Sequence, residues 1–231
     1  MPRKAATNEN PKDTATEHQR PGVYARGADT VDTIIKAALR VIIDEGATAF
    51  SIRRIGAECG LKVGNVSYHF PRKELLVKVM LDDMMESYQT KLDDDVRLAD
   101  ISAEERLRRV ILMCLEDICS KRTTRLFTEL WSLANQSAFI AERIEAFYSD
   151  VHVQIGEQIR VLNPALDDED VRTLALFISA SMEGTTPFLG YEKPWRAQMP
   201  KIMALSVETF IHLAKTLKPG DIAEMTKAID F

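Results

Sequence analysis

The chain has 231 residues, of which 45% are hydrophobic and 28% charged, with a formal charge of −5. That balance suits one or two globular domains with a real core, and no stretch approaches the roughly 18 consecutive apolar residues a membrane-spanning helix needs. Three cysteines without paired spacing (Cys59, Cys114, Cys119) argue for a reducing cytosol and against a disulfide framework. Residues 1–26 carry no apolar h-region of a secretory signal, so a cytoplasmic protein is expected.

The charge is uneven. Residues 1–80 hold 13 Lys and Arg against 9 Asp and Glu, whereas residues 81–231 hold 17 against 26. A mildly basic front on an acidic body fits a small nucleic-acid reader joined to a larger module. Residues 1–27 are nearly free of large apolar side chains and read as a disordered tail. Its basic residues Arg3, Lys4, Lys12, Arg20 and Arg26 either touch phosphates or are simply solvated.

From Asp29 the pattern turns helical, with Val31, Ile34, Ile35, Ala38, Leu39, Ile42 and Ile43 at three- and four-residue spacing. Gly46 closes this helix. A second, short helix is expected from Ser51, its N-cap, to Cys59, with Gly60 as the turn. A third runs from about Val63 to His69, where Pro71 breaks it. A fourth, long helix starts near Arg72 and weakens at Asp93, Asp94 and Asp95.

Ser102 and Glu105 read as a capping box opening a fifth helix, with Leu107, Val110, Ile111, Cys114, Leu115 and Ile118 on one face. Further helices are expected over 122–135, 137–162, 168–184 and 198–217, separated at Asn163-Pro164 and between Pro187 and Pro194. No run alternates with period two and no repeat recurs. The fold class is therefore all-α, about nine helices, with an N-terminal three-helix helix-turn-helix domain over 28–77 and a larger helical bundle over 78–231.

Residues 51–70 read SIRRIGAECGLKVGNVSYHF: two short helices flanking a turn at Gly60-Leu61-Lys62. Ile52, Ile55, Leu61 and Val66 sit where the pair must pack together, and the small Ala57 would permit close approach. The second helix leaves Lys62, Val63, Asn65, Ser67, Tyr68 and His69 for an outward face and carries no acidic residue. A recognition helix needs such a surface, because a carboxylate there would repel phosphate.

The segment 29–77 resembles the DNA-binding domain of TetR-family transcriptional repressors. The marks are Asp44-Glu45-Gly46, the run from Ala47 to Gly56, Gly60-Leu61, Tyr68-His69-Phe70 and Lys73-Glu74-Leu75-Leu76, in order and without a gap. Two details depart from the family pattern. Helix two opens with Ser51-Ile52 rather than Thr-Val or Thr-Leu, and Lys62 to Ser67 replace the common Ser-Lys-Gly-Thr-Leu-Tyr. Operator sequence therefore cannot be carried over.

The resemblance implies that Ser51 caps helix two and donates to a phosphate, and that Arg53 or Arg54 reaches the backbone or groove edge. Lys62, Val63 and Asn65 would face the major groove, Asn65 against adenine. Tyr68 and His69 would bond phosphates, as would Lys73 at the fourth helix's N-terminus. Alternatives stand beside these: Tyr68 packed between helices, His69 a structural surface residue, Val63 touching a thymine methyl or nothing. Arg53 and Arg54 point about 100° apart.

Helix-turn-helix proteins bind paired half-sites as dimers. Family resemblance assigns the pairing to the last two long helices, which carry broad apolar stripes that include Phe177, Ile178 and Met182 on one and Phe210, Ile211 and Ala214 on the other. The middle helices mix large apolar with isolated polar groups: Phe127, Trp131, Asn135, Phe147, Tyr148 and His152, joined by Met182. That set suits either a small-molecule pocket or an ordinary core. No charged cluster is visible along the sequence, so an apolar or amphipathic effector is expected.

The four histidines are scattered, with no metal-ligand spacing, no Gly-rich phosphate loop and no nucleophile elbow, so no catalytic residue, metal or cofactor is expected. The expected partners are a double-stranded operator, a small-molecule effector of unknown identity and a second copy of the chain, with no membrane. The function this implies is a ligand-responsive regulator, a repressor by family resemblance, although the residues themselves leave repressor and activator equally open. Two rivals remain: a helical adaptor that keeps the fold without specific DNA binding, and a redox sensor built on Cys59 or Cys114.

Overall fold

The computed structural model describes residues 25–93 and 100–229, with side chains from residue 28 onward. The described residues are all-α. Helix α1 spans Ala25–Glu45, α2 Ile52–Glu58, α3 Val63–His69 and α4 Lys73–Leu92. The body follows with α5 Ala103–Ile118, α6 Lys121–Ala134, α7 Ala138–Leu162, α8 Asp168–Glu183, α9 Thr186–Leu189, α10 Met199–Thr216 and α11 Asp221–Lys227. All nine expected helices are present. Two short ones, α9 and α11, escaped the sequence reading: α9 lies in the segment read as a break at Pro187, and α11 buries no residue and so carries no apolar stripe.

The helix starts follow the side chains. Ser51 accepts a 3.2 Å hydrogen bond from the Arg54 N–H, Ser102 one of 3.2 Å from Glu105, and Ser120 one of 3.0 Å from Thr123. Asp167 caps α8 by accepting from both Glu169 and Asp170 at 2.9 Å. Gly46 and Gly60 take φ of +82° and +68°, the left-handed geometry that ends α1 and turns α2 into α3. Pro187, expected as a break, instead sits in the first turn of α9, where its missing N–H costs nothing.

Helix α1 starts four residues before the apolar pattern does. The first residues whose side chains are described, Ala28 and Asp29, are exposed, so no buried periodicity marks that turn. The remainder of the expected tail, and Asp94 and Asp95, lie outside the described residues.

Two apolar clusters hold the molecule together. The first joins α1 (Val31, Ile34, Ala38, Ile42) to Phe50, Ile55, Val66, Phe70 and Leu76, and continues into α6 through Leu126, Phe127 and Leu130 and into α7 through Ile140, Ile144 and Phe147. The second joins α5, the C-terminal half of α7, α8 and α10. Burying a side chain such as Ile34 or Phe50 contributes roughly 1.5–3 kcal/mol. The core beneath α1–α3 is thus partly built from α6 and α7, so a shift of the body's helices is felt at the front.

Candidate nucleic-acid interface and ligand cavity

Helices α2 and α3 pack through Ile55 and Val66, both fully buried. The residue allowing their close approach is Gly56, not the expected Ala57, which is exposed. A Cβ at Gly56 would sit 3.1 Å from the Leu61 carbonyl oxygen and 3.5 Å from Val66 Cγ2.

With Val66 inward, the opposite face of α3 and its N-cap present Lys62, Val63, Asn65 and Tyr68 to solvent. Tyr68 is 83% exposed, which removes the alternative that it packs between helices. Ser67 is half-buried. So is His69, whose Nδ1 is buried without a hydrogen-bond partner and whose ring meets that of Tyr68 edge-on at 5.1 Å. Ser51 and Arg53 are exposed, and Lys73, the first residue of α4, is half-buried.

Arg54 is the exception among the sequence-derived contacts. Its guanidinium is held by Glu45 at 2.5 Å and by Glu58 at 2.8 Å, and Arg40 joins the cluster by pairing with Glu58 at 3.0 Å. The Glu45 and Glu58 carboxylates hold the Arg54 proton far more tightly than usual, and Arg40 and Arg54 hold the Glu58 carboxyl below its ordinary range. Arg54 therefore ties α1 to α2 and is not presented for a partner, which leaves Arg53 as the outward arginine.

A cavity of ≈ 60 Å³ lies among α4–α8. Tyr88 and Leu92 come from α4; Val110, Met113, Cys114 and Asp117 from α5; Thr123 and Phe127 from α6. Phe147, Val151 and Gln154 of α7 and Ser179, Met182 and Glu183 of α8 complete most of the wall. Of the residues expected in a pocket, Phe127, Phe147 and Met182 line it. Trp131 and Tyr148 stand one layer behind. The Trp131 Nε1–H donates to the Tyr148 hydroxyl at 3.2 Å, and that hydroxyl is hydrogen-bonded to the Glu183 carboxyl. His152 stacks on Tyr148 at 6.5 Å, and desolvation lowers its pKa. Asn135 is exposed at the C-terminal cap of α6 and does not line the cavity.

The sequence reading missed Tyr88, Asp117 and Glu183. Asp117 Oδ2 accepts from the Tyr88 hydroxyl and, at 2.7 Å, from Thr123. Burial raises the pKa of Glu183 to about 7, opposed by its Tyr148 hydrogen bond and reinforced by Asp117. Burial also pushes the Cys114 thiol up to about 12, far from the low pKa of a reactive cysteine. Two carboxylates thus face an apolar cavity, contrary to the expectation that no charge cluster exists.

The expected dimer stripe divides. Ile178 and Ala214 are fully buried, Met182 is 2% exposed, and Phe210 and Ile211 are each 6% exposed, so all five belong to the protomer's own second cluster. In the single chain most of their surface is spent on that core. Phe177 is half exposed, edge-on to Phe210 at 6.2 Å; Leu176, its neighbour on α8, and Leu205 on α10 are also exposed.

No described helix is long and apolar enough to cross a membrane, and no group of three or more His, Cys, Asp or Glu converges among the described residues to hold a metal ion. An acid-free short helix on a two-helix turn, carried by a helical body with an internal cavity, defines a helix-turn-helix regulator with a separate ligand-sized space.

Comparison with known proteins agrees. The profile of "Bacterial regulatory proteins, tetR family" matches residues 34–80, and that of "BetI-type transcriptional repressor, C-terminal" matches residues 103–212. The chain belongs to the TetR family of transcriptional regulators. It is 24% identical over 138 residues to an uncharacterized HTH-type transcriptional regulator in the dhlA 5' region of Xanthobacter autotrophicus, a match covering 57% of this chain and 66% of that protein. Its fold is similar to a transcriptional regulator from Saccharomonospora viridis solved with choline (TM-score 0.62, 17% identity, 82% of this chain and 97% of the other). It is also similar to FadR from Bacillus subtilis solved with stearoyl-CoA (TM-score 0.58, 20% identity, 80% and 97%).

Proposed function

We propose that the protein is a cytoplasmic repressor that binds a palindromic operator as a homodimer and is released by a small molecule entering the α4–α8 cavity. The observation that carries this reading is the outward face of α3: Lys62, Val63, Asn65 and Tyr68 stand in solvent with no carboxylate on the helix. The exposed Tyr68 offers its hydroxyl to a phosphate. Asn65 is placed to read a base edge. Ser51, Arg53, Lys73 and His69 surround it with donors for phosphates, and Ser67 completes the rim.

The dimer face is the exposed apolar ridge of α8 and α10, formed by Leu176, Phe177 and Leu205. Pairing through it would hold two copies of α3 at a fixed separation, matched to half-sites about one helical turn apart or a multiple of it.

Release follows from which helices wall the cavity. Tyr88 and Leu92 sit in the C-terminal part of α4, whose first residue, Lys73, follows the end of α3 after three residues. Thr123 and Phe127 belong to α6, which also holds the end of α1: Glu129 accepts the Ala47 N–H at 2.7 Å and Lys121 pairs with Asp44 at 2.6 Å. A ligand larger than the present cavity that displaces α4 or α6 would carry α3 with it. A coupling of roughly 1–3 kcal/mol would be enough for regulation.

The test is an anisotropy titration of the full chain on duplex DNA from upstream of its own gene, against scrambled duplex of equal length. Preference for the upstream duplex supports the reading. Equal binding, or none even at low salt where phosphate contacts are strongest, contradicts it and favours an adaptor.

A further inference from the structure

We infer that the α4–α8 cavity is built for the ammonium head of an organic cation, with Glu183 as its counter-charge. This rests on the effector reading above and names the chemical class of that effector.

The polar groups of the cavity fall into two kinds. Asp117 is already served, its Oδ2 taking hydrogen bonds from Tyr88 and Thr123. Glu183 is served on one side only: Tyr148 lies against its carboxyl, while Oε2 is shut off from solvent and has no hydrogen-bond partner. No Lys, Arg or His lines the cavity among the described residues. A buried carboxyl oxygen without a donor is costly, and proteins ordinarily supply a partner for it. Among the described residues none is supplied, and Glu183 lies on the wall of a cavity that a ligand group could enter.

The rest of the wall restricts what that group is. Tyr88, Phe127 and Phe147 bring aromatic rings together, with centroids 5.8 Å apart for Tyr88 and Phe147 and 5.3 Å for Phe127 and Phe147. Aromatic faces attract a cation, most strongly where water is excluded. Val110, Met113, Val151 and Met182 give the apolar surface that an organic body needs and a bare metal ion does not. An anionic ligand would meet two carboxylates. A neutral ligand would accept a hydrogen bond from an un-ionised Glu183 and pack on the rings, but would gain nothing from the negative charge that Glu183 can carry.

Proton accounting separates these cases. The empty cavity holds the Glu183 carboxyl with a pKa near 7, raised chiefly by burial, with Asp117 adding repulsion and Tyr148 opposing it. The other titratable groups around it are Cys114 of α5, Tyr88 of α4 and Tyr148 of α7, all pushed well above neutrality by burial, and His152, which stacks behind Tyr148 and is shifted by desolvation toward its neutral form. Near neutral pH, Glu183 is therefore the group that changes charge. Binding an ammonium ion stabilises the carboxylate, so the carboxyl gives its proton to buffer as the ion pair forms.

The experiment is isothermal titration calorimetry of the full chain between pH 6 and 8. The probes are benzylammonium and hexylammonium, their neutral twins benzyl alcohol and hexanol, and the anion phenylacetate. The expected result is that at least one ammonium binds ten or more times tighter than its twin. Its affinity rises with pH toward pH 8 while the twin's does not, and proton release appears as a buffer-dependent heat. Glu183→Gln, checked for native helicity by circular dichroism, should abolish both the preference and the proton release. The wild-type pH series stands even if that variant folds poorly. Equal binding of twin and ammonium, tighter binding of phenylacetate, or no ammonium binding at millimolar concentration overturns the inference. Operator binding is measured on the same samples without ligand. A neutral or anionic probe that frees the operator would sink the cation while leaving the regulator intact, whereas absence of operator binding would sink the regulator itself.

Discussion

Glu129 in the middle of α6 reaches across to the front of the molecule and accepts a 2.7 Å hydrogen bond from the backbone N–H of Ala47, in the turn between α1 and α2. Its carboxylate also lies within 3.3 Å of where a Cβ on Gly46 would be. The same helix carries Thr123 and Phe127 on the cavity wall. One rigid element thus touches both the ligand space and the turn leading into Ser51, the cap of α2. Replacing Glu129 by Ala should leave the Ala47 N–H without its acceptor, at a cost of about 1–3 kcal/mol in stability. It should also weaken operator binding about five- to tenfold, while Glu129→Gln, which keeps an acceptor, stays near wild type. Thermal melts and anisotropy on the same preparations check both.

The two adjacent arginines of α2 should behave oppositely. Arg53 is exposed and Arg54 is locked between Glu45 and Glu58. Arg53→Ala should lower the slope of log affinity against log salt by about one, the loss of one phosphate contact. Arg54→Ala should lower the melting temperature and leave that slope alone. Equal slope changes in both would contradict the assignment.

Asn65 and Lys73 separate reading from holding. Asn65→Ala should relax preference at one base pair by about 1–3 kcal/mol, and Lys73→Ala should weaken all sequences alike. A binding screen over single-base operator variants distinguishes them.

Stability should carry the signature of Glu183. Its folded pKa, about 7, lies above the ordinary carboxyl value of 4.5, so between those values the folded state holds the proton more tightly than the unfolded chain. The contribution is full below about pH 4.5 and is lost as pH rises through about 7. Glu183→Gln should remove that loss and be more stable than wild type at pH 8, by an amount on the order of 2 kcal/mol. Urea titrations at pH 5 and pH 8 measure it. Tyr148, Cys114 and Tyr88 face the same space but are raised well above this range by burial, so they stay protonated in both proteins.

What the sequence disclosed and what it hid follow from the range over which each signal acts. The nine long and medium helices were legible because their periodicity and their caps, such as Ser51, Ser102 and Gly46, are local. The outward face of α3 was legible because seven consecutive residues define it. Glu183 and Asp117 were not, because they meet only once α5 and α8 pack on α7. The dimer stripe misled for a related reason. Periodicity says that Ile178 and Phe177 both lie on an apolar helix, but only the packing of α8 against α7 decides that Ile178 faces inward and Phe177 outward. The choice between Arg53 and Arg54 stayed open in the sequence because, although Glu58 lies four residues from Arg54 on the same helix, Glu45 comes from α1, whose angle to α2 the sequence does not give.

Leu205→Glu tests the proposed dimer face. The residue is 64% exposed, so the change should not disturb the protomer's core. It should shift the chain toward monomer in sedimentation velocity while melts stay within about 0.5 kcal/mol of wild type.

The most direct test of the whole account is the mass of the protein–operator complex by size-exclusion chromatography with light scattering, on the tightest-binding upstream duplex. The account predicts an even number of chains on each duplex, and loss of the complex in a variant with both Tyr68 and Asn65 changed to Ala. A single chain per duplex, or a complex indifferent to those two residues, would contradict it.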